Sequence, residues 1–133
     1  NPPLINGDGE QMRSYTHVED TARATIAACL LEKANGETMN IGNGKDPISL
    51  NNLARKIISL SGKEGLIKAV HSANFEDTDR VKEREIFHRF CDSSKAQKLL
   101  NWSPTIDIDS GLLSIIEQEK IHEGWINYTD IDM

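Results

Sequence analysis

Between Thr21 and Leu31 the chain runs Thr-Ala-Arg-Ala-Thr-Ile-Ala-Ala-Cys-Leu-Leu, a strong helix former that is apolar on nearly every side from Ala24 onward, interrupted only by Thr25. No apolar run in the chain is long enough to cross a bilayer, so a helix of this kind has to be covered by protein on more than one face. One of those faces is expected to want a neighbour that the other residues do not obviously supply. Asp20 or a nearby acidic residue can start the helix by accepting orphan amide hydrogens, and Asn35-Gly36 marks its end.

The 133 residues fit one domain and are too few for two independent cores. Hydrophobic residues at 38% and charged residues at 27% are ordinary globular values, and no basic, apolar, small-residue leader opens the chain. A formal net charge of −6 argues against a general nucleic-acid binder, whose affinity comes from Lys and Arg displacing counterions. A membrane partner is likewise not expected, and the composition points to a cytoplasmic protein. Cys29 and Cys91 are expected as two buried, reduced thiols. His17, His71, His88 and His122 show no metal-ligand spacing with each other or with the cysteines, so no metal site is expected.

Along the chain, Leu4 to Asn6 and Met12 to His17 are strand-like, and Asn6-Gly7-Asp8-Gly9 between them supplies residues that tolerate positive φ, so the opening is expected to be a hairpin. Glu37 to Ile41 has strand character and is closed by Gly42-Asn43-Gly44. Ser49 is expected to cap a helix whose Leu50, Leu53, Ala54, Ile57 and Ile58 form one buried stripe before Gly62. Leu66 to Val70 is a further candidate strand. Mixed charge and few apolar residues make 71 to 89 a long loop, either functional or partly disordered. Two helices follow, one from about Ser93 to Leu100 capped by Asp92, the other from Asp107 or Asp109 to about His122. Between them Asn101 suits a left-handed turn and Pro104 blocks continuation. The chain divides on this basis into a lobe over 1–123 and a tail over 124–133.

Five blocks carry a family resemblance: Gly7 to Gln11, Arg13-Ser-Tyr-Thr-His-Val-Glu-Asp20, Met39 to Gly44, Ile48-Ser49, and Asp92 to Pro104 with its Asp-Ser-Ser-Lys-Ala and Asn-Trp-Ser-Pro. In this order they resemble the extended short-chain dehydrogenase/reductases of the NAD-dependent epimerase/dehydratase family, which includes UDP-glucose 4-epimerases and dTDP-glucose 4,6-dehydratases. The likeness covers Leu4 to roughly Ile116. It implies an α/β fold: the small mixed substrate-binding lobe of a Rossmann-type extended enzyme, with the Rossmann core absent from this chain. A first residue Asn1, followed by Pro-Pro, is read as the start of a carboxyl-terminal piece of something longer. The segments like Ala22 to Leu31 and Thr38 to Ile41 pack against the Rossmann side in the family, which would explain the all-round apolar helix.

The departures define what the chain is expected not to do alone. Neither Gly7-Asp-Gly9 nor Gly42-Asn-Gly44 continues as Gly-x-Gly-x-x-Gly, and neither Tyr15 nor Tyr128 has Lys four positions on. The resemblance implies NAD in the parent enzyme, but none is expected to bind this chain by itself, nor is turnover. With no cofactor to take a hydride and no tyrosine to move the hydroxyl proton, no route to the family's redox step is visible.

For the site, the resemblance gives Arg13 to the substrate diphosphate, which a guanidinium fork suits; the alternative is a strand-edge arginine paired with Glu10 or Glu19. Asn40 resembles a diphosphate contact, with a turn-stabilising Asn as the alternative. A second phosphate arginine is expected before the Asp-Ser-Ser-Lys-Ala block; Arg84 best fits the spacing, with Arg80 and Arg89 as rivals and a solvated charge as the alternative. Asp20, Ser49 and Asp92 are read as helix caps and Trp102 as core. The expected partners are a nucleotide-diphosphate sugar and the missing Rossmann domain, with a homo-oligomer left open. Two other classes stay on the page: a stand-alone, non-catalytic sugar-nucleotide or protein-binding module, and an atypical relative acting on a non-sugar carbonyl or alcohol.

Overall fold

The computed structural model describes residues 1–72 and 86–125. In chain order its elements are β1 (Leu4–Asn6), β2 (Met12–Arg13), α1 (Val18–Leu30), a 3₁₀ turn (Glu32–Ala34), β3 (Ile48–Ser49), α2 (Leu50–Leu60), β4 (Val70–Ser72), β5 (His88–Arg89), α3 (Ser94–Leu100) and α4 (Ile108–Trp125). The mixed α/β class is as expected. Its strands form two small sheets, one of β1 beside β4 and one in which β2 lies between β3 and β5.

The expected opening hairpin is not formed. β1 runs parallel to β4, with Leu4 opposite Val70, while β2 pairs antiparallel with β3 and parallel with β5. Gly7 and Gly9 do take positive φ, +84° and +75°, but the turn they make receives α2 rather than folding β1 onto β2. Asn51 donates its backbone amide to Gly9 O at 3.1 Å and its Nδ2 to Asp8 O at 2.9 Å. A Cβ on Gly9 would run into the Asn51 amide at 2.3 Å. Long-range partners therefore claim both strands before a local ladder can close.

α1 starts earlier than expected, at Val18, because His17 supplies the cap: its Nδ1 accepts from the Glu19 amide at 3.3 Å. Asp20 lies inside the first turn and is fully buried, so its expected role as the cap is corrected. The buried side of α1 presents Ala24, whose small side chain lets the helix approach Ala96, Leu100 and Trp102 closely, with Ala27, Ala28 and Leu31 packed around them. Trp102 is core, as expected from the sequence.

Residues 38 to 41 do not form the expected strand. Met39 and Ile41 pack against the α1–α3 core and Thr38 and Asn40 face outward, the alternation of a strand. Among the described residues, however, none of these residues makes a backbone–backbone hydrogen bond. The side-chain pattern of a strand is present and its ladder partner is not.

α2 follows the sequence closely: Ser49 Oγ accepts from the Asn52 amide at 3.2 Å, and Gly62 ends the helix at φ +67°. It packs on α4, with Lys56 Nζ 2.5 Å from Asp109. The strand expected at Leu66 to Val70 is displaced to β4, and the expected loop from 71 to 89 contains β4 residues at one end and β5 at the other. The middle of that loop, and the tail beyond Trp125, lie outside the described residues. Asp92 accepts from the Ser94 amide at 2.9 Å, which keeps its capping role one position outside the geometric N-cap, Ser93. Asn101 adopts φ 50°, the left-handed turn expected of it. Asp107 accepts the Asp109 and Ser110 amides, both at 2.9 Å, and so opens α4. Both cysteines are free thiols, but the expectation that both are buried fails: Cys29 is exposed on α1 and Cys91 is half-buried.

Candidate functional site

Three features organise the molecule around β2 and α1. The first is the buried Asp20 carboxylate. It accepts from the Thr105 amide at 3.1 Å, the Thr105 hydroxyl at 3.0 Å, the Ile106 amide at 3.0 Å and the Arg23 guanidinium. Trp102 Nε1 donates to the Asp20 backbone carbonyl at 2.9 Å. Burial by itself would raise the Asp20 pKa, but the Ile106 amide, Arg23 and Thr105 outweigh it and hold the carboxyl below its ordinary value. This cluster joins α1 to the connection between α3 and α4. Its partners are all internal, so it fixes the frame and is not a reaction centre.

The second feature is the arginine face of the sheet. Arg13 sits on β2, where its Nη1 donates to Met12 O at 2.8 Å and to Phe87 O at 3.3 Å. The guanidinium is thus laid across toward β5 and held by backbone oxygens, rather than by the Glu10 or Glu19 considered from sequence. Tyr15, two residues on along the extended chain, has its phenol pushed up in pKa by burial, with Arg13 pulling the other way. Across the parallel ladder the register partner of Arg13 is Arg89. Partners in a ladder extend to the same face, so the two arginines leave the sheet on the same side. Sequence reasoning carried Arg89 only as a rival; the pairing of Met12 with His88, which fixes it, is not written in any local pattern. Arg84, the preferred second arginine, and Arg80 lie outside the described residues. Asn40 donates to Asp92 O at 3.5 Å, the long limit of a hydrogen bond. It therefore stands by the start of α3.

The third feature is the outer side of α1. Val18, Ala22, Ile26 and Leu30 repeat at four-residue spacing along one stripe. Val18 is 72% exposed, Ile26 59% and Leu30 76%, and Cys29 is exposed beside them. The opposite side of the same helix holds Asp20 and Ala24, both with no exposure at all.

The glycine runs do not make a dinucleotide cradle. Gly7 and Gly9 connect β1 to β2 and lead into no helix. Gly42 and Gly44 are needed for an internal approach: a Cβ on Gly44 would lie 2.1 Å from Cys91 O, and one on Gly42 2.8 Å from Cys91 Sγ. Cys91 thus fills the space beside the Gly42 and Gly44 backbone, and neither glycine run is shaped as a pyrophosphate cradle. Among the described residues no group of His, Cys, Asp or Glu is arranged to hold a metal, and no helix is long and apolar enough to cross a membrane.

The family model described as GDP-mannose 4,6 dehydratase matches residues 1–115. The chain belongs to that family of extended short-chain dehydrogenase/reductases. Within it, the chain is 38% identical over 119 residues to a UDP-glucuronate 4-epimerase of Thermodesulfobacterium geofontis, a match that takes in 90% of this chain and 33% of the relative. It is 36% identical to a UDP-N-acetyl-alpha-D-glucosaminuronate decarboxylase of Bacillus cytotoxicus, over 86% of this chain and 34% of that one. Among solved structures, a UDP-glucuronic acid 4-epimerase from Bacillus cereus in complex with NAD superposes with a TM-score of 0.75 at 30% identity, over 96% of this chain and 36% of that one. This family member therefore spans about a third of the length of the curated relatives it matches. The expected small lobe of an extended short-chain dehydrogenase/reductase is the fold observed.

Proposed function

We propose that the chain is the substrate-binding lobe of an NAD-dependent nucleotide-sugar epimerase or dehydratase, completed by a Rossmann domain that docks on α1 and on residues 38 to 41. The exposed stripe of α1 carries this reading. Large apolar side chains aligned on one helix face, with the opposite face fully packed, are what a helix shows when a neighbour is missing. The strand-patterned residues 38 to 41, which form no backbone ladder among the described residues, offer a sheet edge to the same neighbour. Matches that take in only about a third of each relative leave about two thirds of its length for such a partner.

In this lobe Arg13 takes the substrate diphosphate. The backbone oxygens of Met12 and Phe87 hold its guanidinium in place, so little side-chain freedom is lost on binding. Asn40 and, from the segment beyond Ser72, Arg84 are the further proposed contacts. The two relatives named for UDP-glucuronate and UDP-N-acetylglucosaminuronate point to sugars that carry a carboxylate as the class to test first. When bound in the completed enzyme, NAD supplies the hydride chemistry. The chain's own residues bind and orient the nucleotide sugar, and no proton transfer is assigned to them.

The test is an assay of the chain alone with UDP- and dTDP-sugars plus NAD, alongside UDP binding by calorimetry. The expected result is no turnover, no NAD binding, and weak UDP binding that Arg13→Gln removes. Turnover by the isolated chain would overturn the proposal, as would UDP binding indifferent to Arg13. A non-catalytic module remains the second reading, favoured by the same exposed stripe used as a protein interface. It requires a start codon directly before Asn1, whereas the lobe requires a preceding glycine-rich strand-turn-helix and a Tyr-x-x-x-Lys.

A further inference from the structure

The face on which Arg13 leaves the sheet depends on register, because a slip of one residue turns every side chain of a strand to the other side. Little in the ladders themselves specifies that register. β2, β3 and β5 are each two residues long; both residues of β2 are half-buried, both of β5 are exposed, and Ser49 alone among the six is buried. A strand with one sealed face resists a slip, and β2 has none. The pairing of Met12 with Ser49 and of Arg13 with Ile48 therefore has to be held from outside the strands.

We infer that Asn51 is a positioning residue: it locks the register of β2 against β3 and so sets the face on which Arg13 meets the substrate diphosphate. The consequence for the ligand rests on the nucleotide-sugar reading of Arg13, whereas the lock itself does not. Asn51 lies in the first turn of α2, which continues directly from β3, and it grips the turn that leads into β2. Its backbone amide donates to Gly9 O at 3.1 Å, and its Nδ2 donates to Asp8 O at 2.9 Å and to Glu10 Oε1 at 2.6 Å. With Nδ2 facing two acceptors, Oδ1 is the atom that accepts from His71 Nε2, at 2.8 Å, so β4 braces the same amide. Gly9 permits the approach, since a Cβ there would lie 2.3 Å from Asn51 Oδ1. Moving β2 by one residue, about 3.3 Å along β3, would bring Asp8 or Glu10, each with a Cβ, to the place that only glycine fits. The contact thus accepts one register and rejects its neighbours.

The experiment reads the register directly, by nuclear Overhauser contacts across β2 and β3, in the wild-type chain and in Asn51→Leu, Gly9→Ala and Ala54→Gly, with UDP titrated into each at low and high salt. Asn51→Leu keeps the size and the charge and removes every side-chain bond of the lock, and Gly9→Ala forces the same contact apart from the other side. Ala54→Gly loosens α2 at a buried position without touching the turn. The contacts of Met12 with Ser49 and of Arg13 with Ile48 are expected in the wild type and in Ala54→Gly, and their loss in the other two. UDP affinity should fall about tenfold or more in Asn51→Leu and Gly9→Ala, as when a charge-assisted contact is lost, and its salt dependence should flatten with it. Unchanged cross-strand contacts in Asn51→Leu and Gly9→Ala overturn the lock, and so does their loss in Ala54→Gly, which would make the effect general loosening. Register lost with UDP affinity and salt dependence unchanged overturns the link to Arg13. Failure of the wider reading looks different: the register contacts respond as expected, while the wild type binds no UDP.

Discussion

The two sides of α1 end in opposite conditions. Toward α3, Ala24 and Asp20 are sealed by Trp102, Ala96, Leu100 and the Thr105-Ile106 amides. On the opposite side, Val18, Ile26 and Leu30 face outward. On the inner side, among the described residues, no buried side-chain polar atom lacks a hydrogen-bond partner, and Ala24 is packed into the core cluster. On the outer side the apolar surface has none among the described residues. The difference separates what the chain needs in order to fold from what it presents to something else.

The inner side should be the most sensitive. Trp102→Ala removes the largest core side chain and the donor to the Asp20 carbonyl, and about 4 kcal/mol of unfolding free energy should be lost, read as a fall in the urea midpoint. Asp20→Asn leaves the Thr105 and Ile106 amides short of acceptors and Arg23 without its anion, so about 3 kcal/mol should go. If either substitution costs as little as an exposed one, the contrast between the two sides is wrong.

Acid should act through the same node. The folded-state pKa of Asp20 is lowered relative to the unfolded chain. Its contribution is therefore fully present above about pH 4, the ordinary carboxylate value, and is lost as pH falls through the folded value below that. Asp92 and Asp107 are lowered as well, by the Ser94 and Ser110 groups respectively, so their contributions have the same sign. Stability measured by urea at pH 7 and pH 3 should fall steeply in the wild type and less steeply in Asp20→Asn. Equal slopes would remove Asp20 from the account.

The outer side should show the smallest effect on the isolated chain. Ile26→Ser and Leu30→Ser should change its unfolding free energy by no more than about 0.5 kcal/mol. At high concentration the same substitutions should reduce self-association in sedimentation, because exposed apolar surface is what drives it. Costs comparable to Trp102→Ala would mean that the stripe is covered within the chain.

Much of this contrast is legible in the sequence. The run from Ala24 to Leu31 declares a helix with more apolar surface than one interface can use, and Ser49, Asn101 and Gly62 announce their turns and caps through local chemistry. Other features depend on residues far apart in the chain. The opening hairpin fails because β4 and β3 outcompete a local ladder, which no feature of Asn6 to Gly9 reveals. His17 caps α1 and frees Asp20 for the core because Thr105 and Ile106 arrive from 85 residues away. The Arg13–Arg89 pair likewise follows from the register of a strand only two residues long. Residues 38 to 41 go the other way: their strand pattern is plain in the sequence, and the ladder it needs is missing.

Backbone hydrogen exchange at Thr38, Met39, Asn40 and Ile41 tests the docking claim most directly, measured in the isolated chain and in the intact product of the gene that encodes it. These amides should exchange freely in the isolated chain and be protected many-fold in the gene product, where a neighbouring strand pairs with them. Equal rates in the two would contradict the claim that α1 and its adjoining edge are made to receive a second domain.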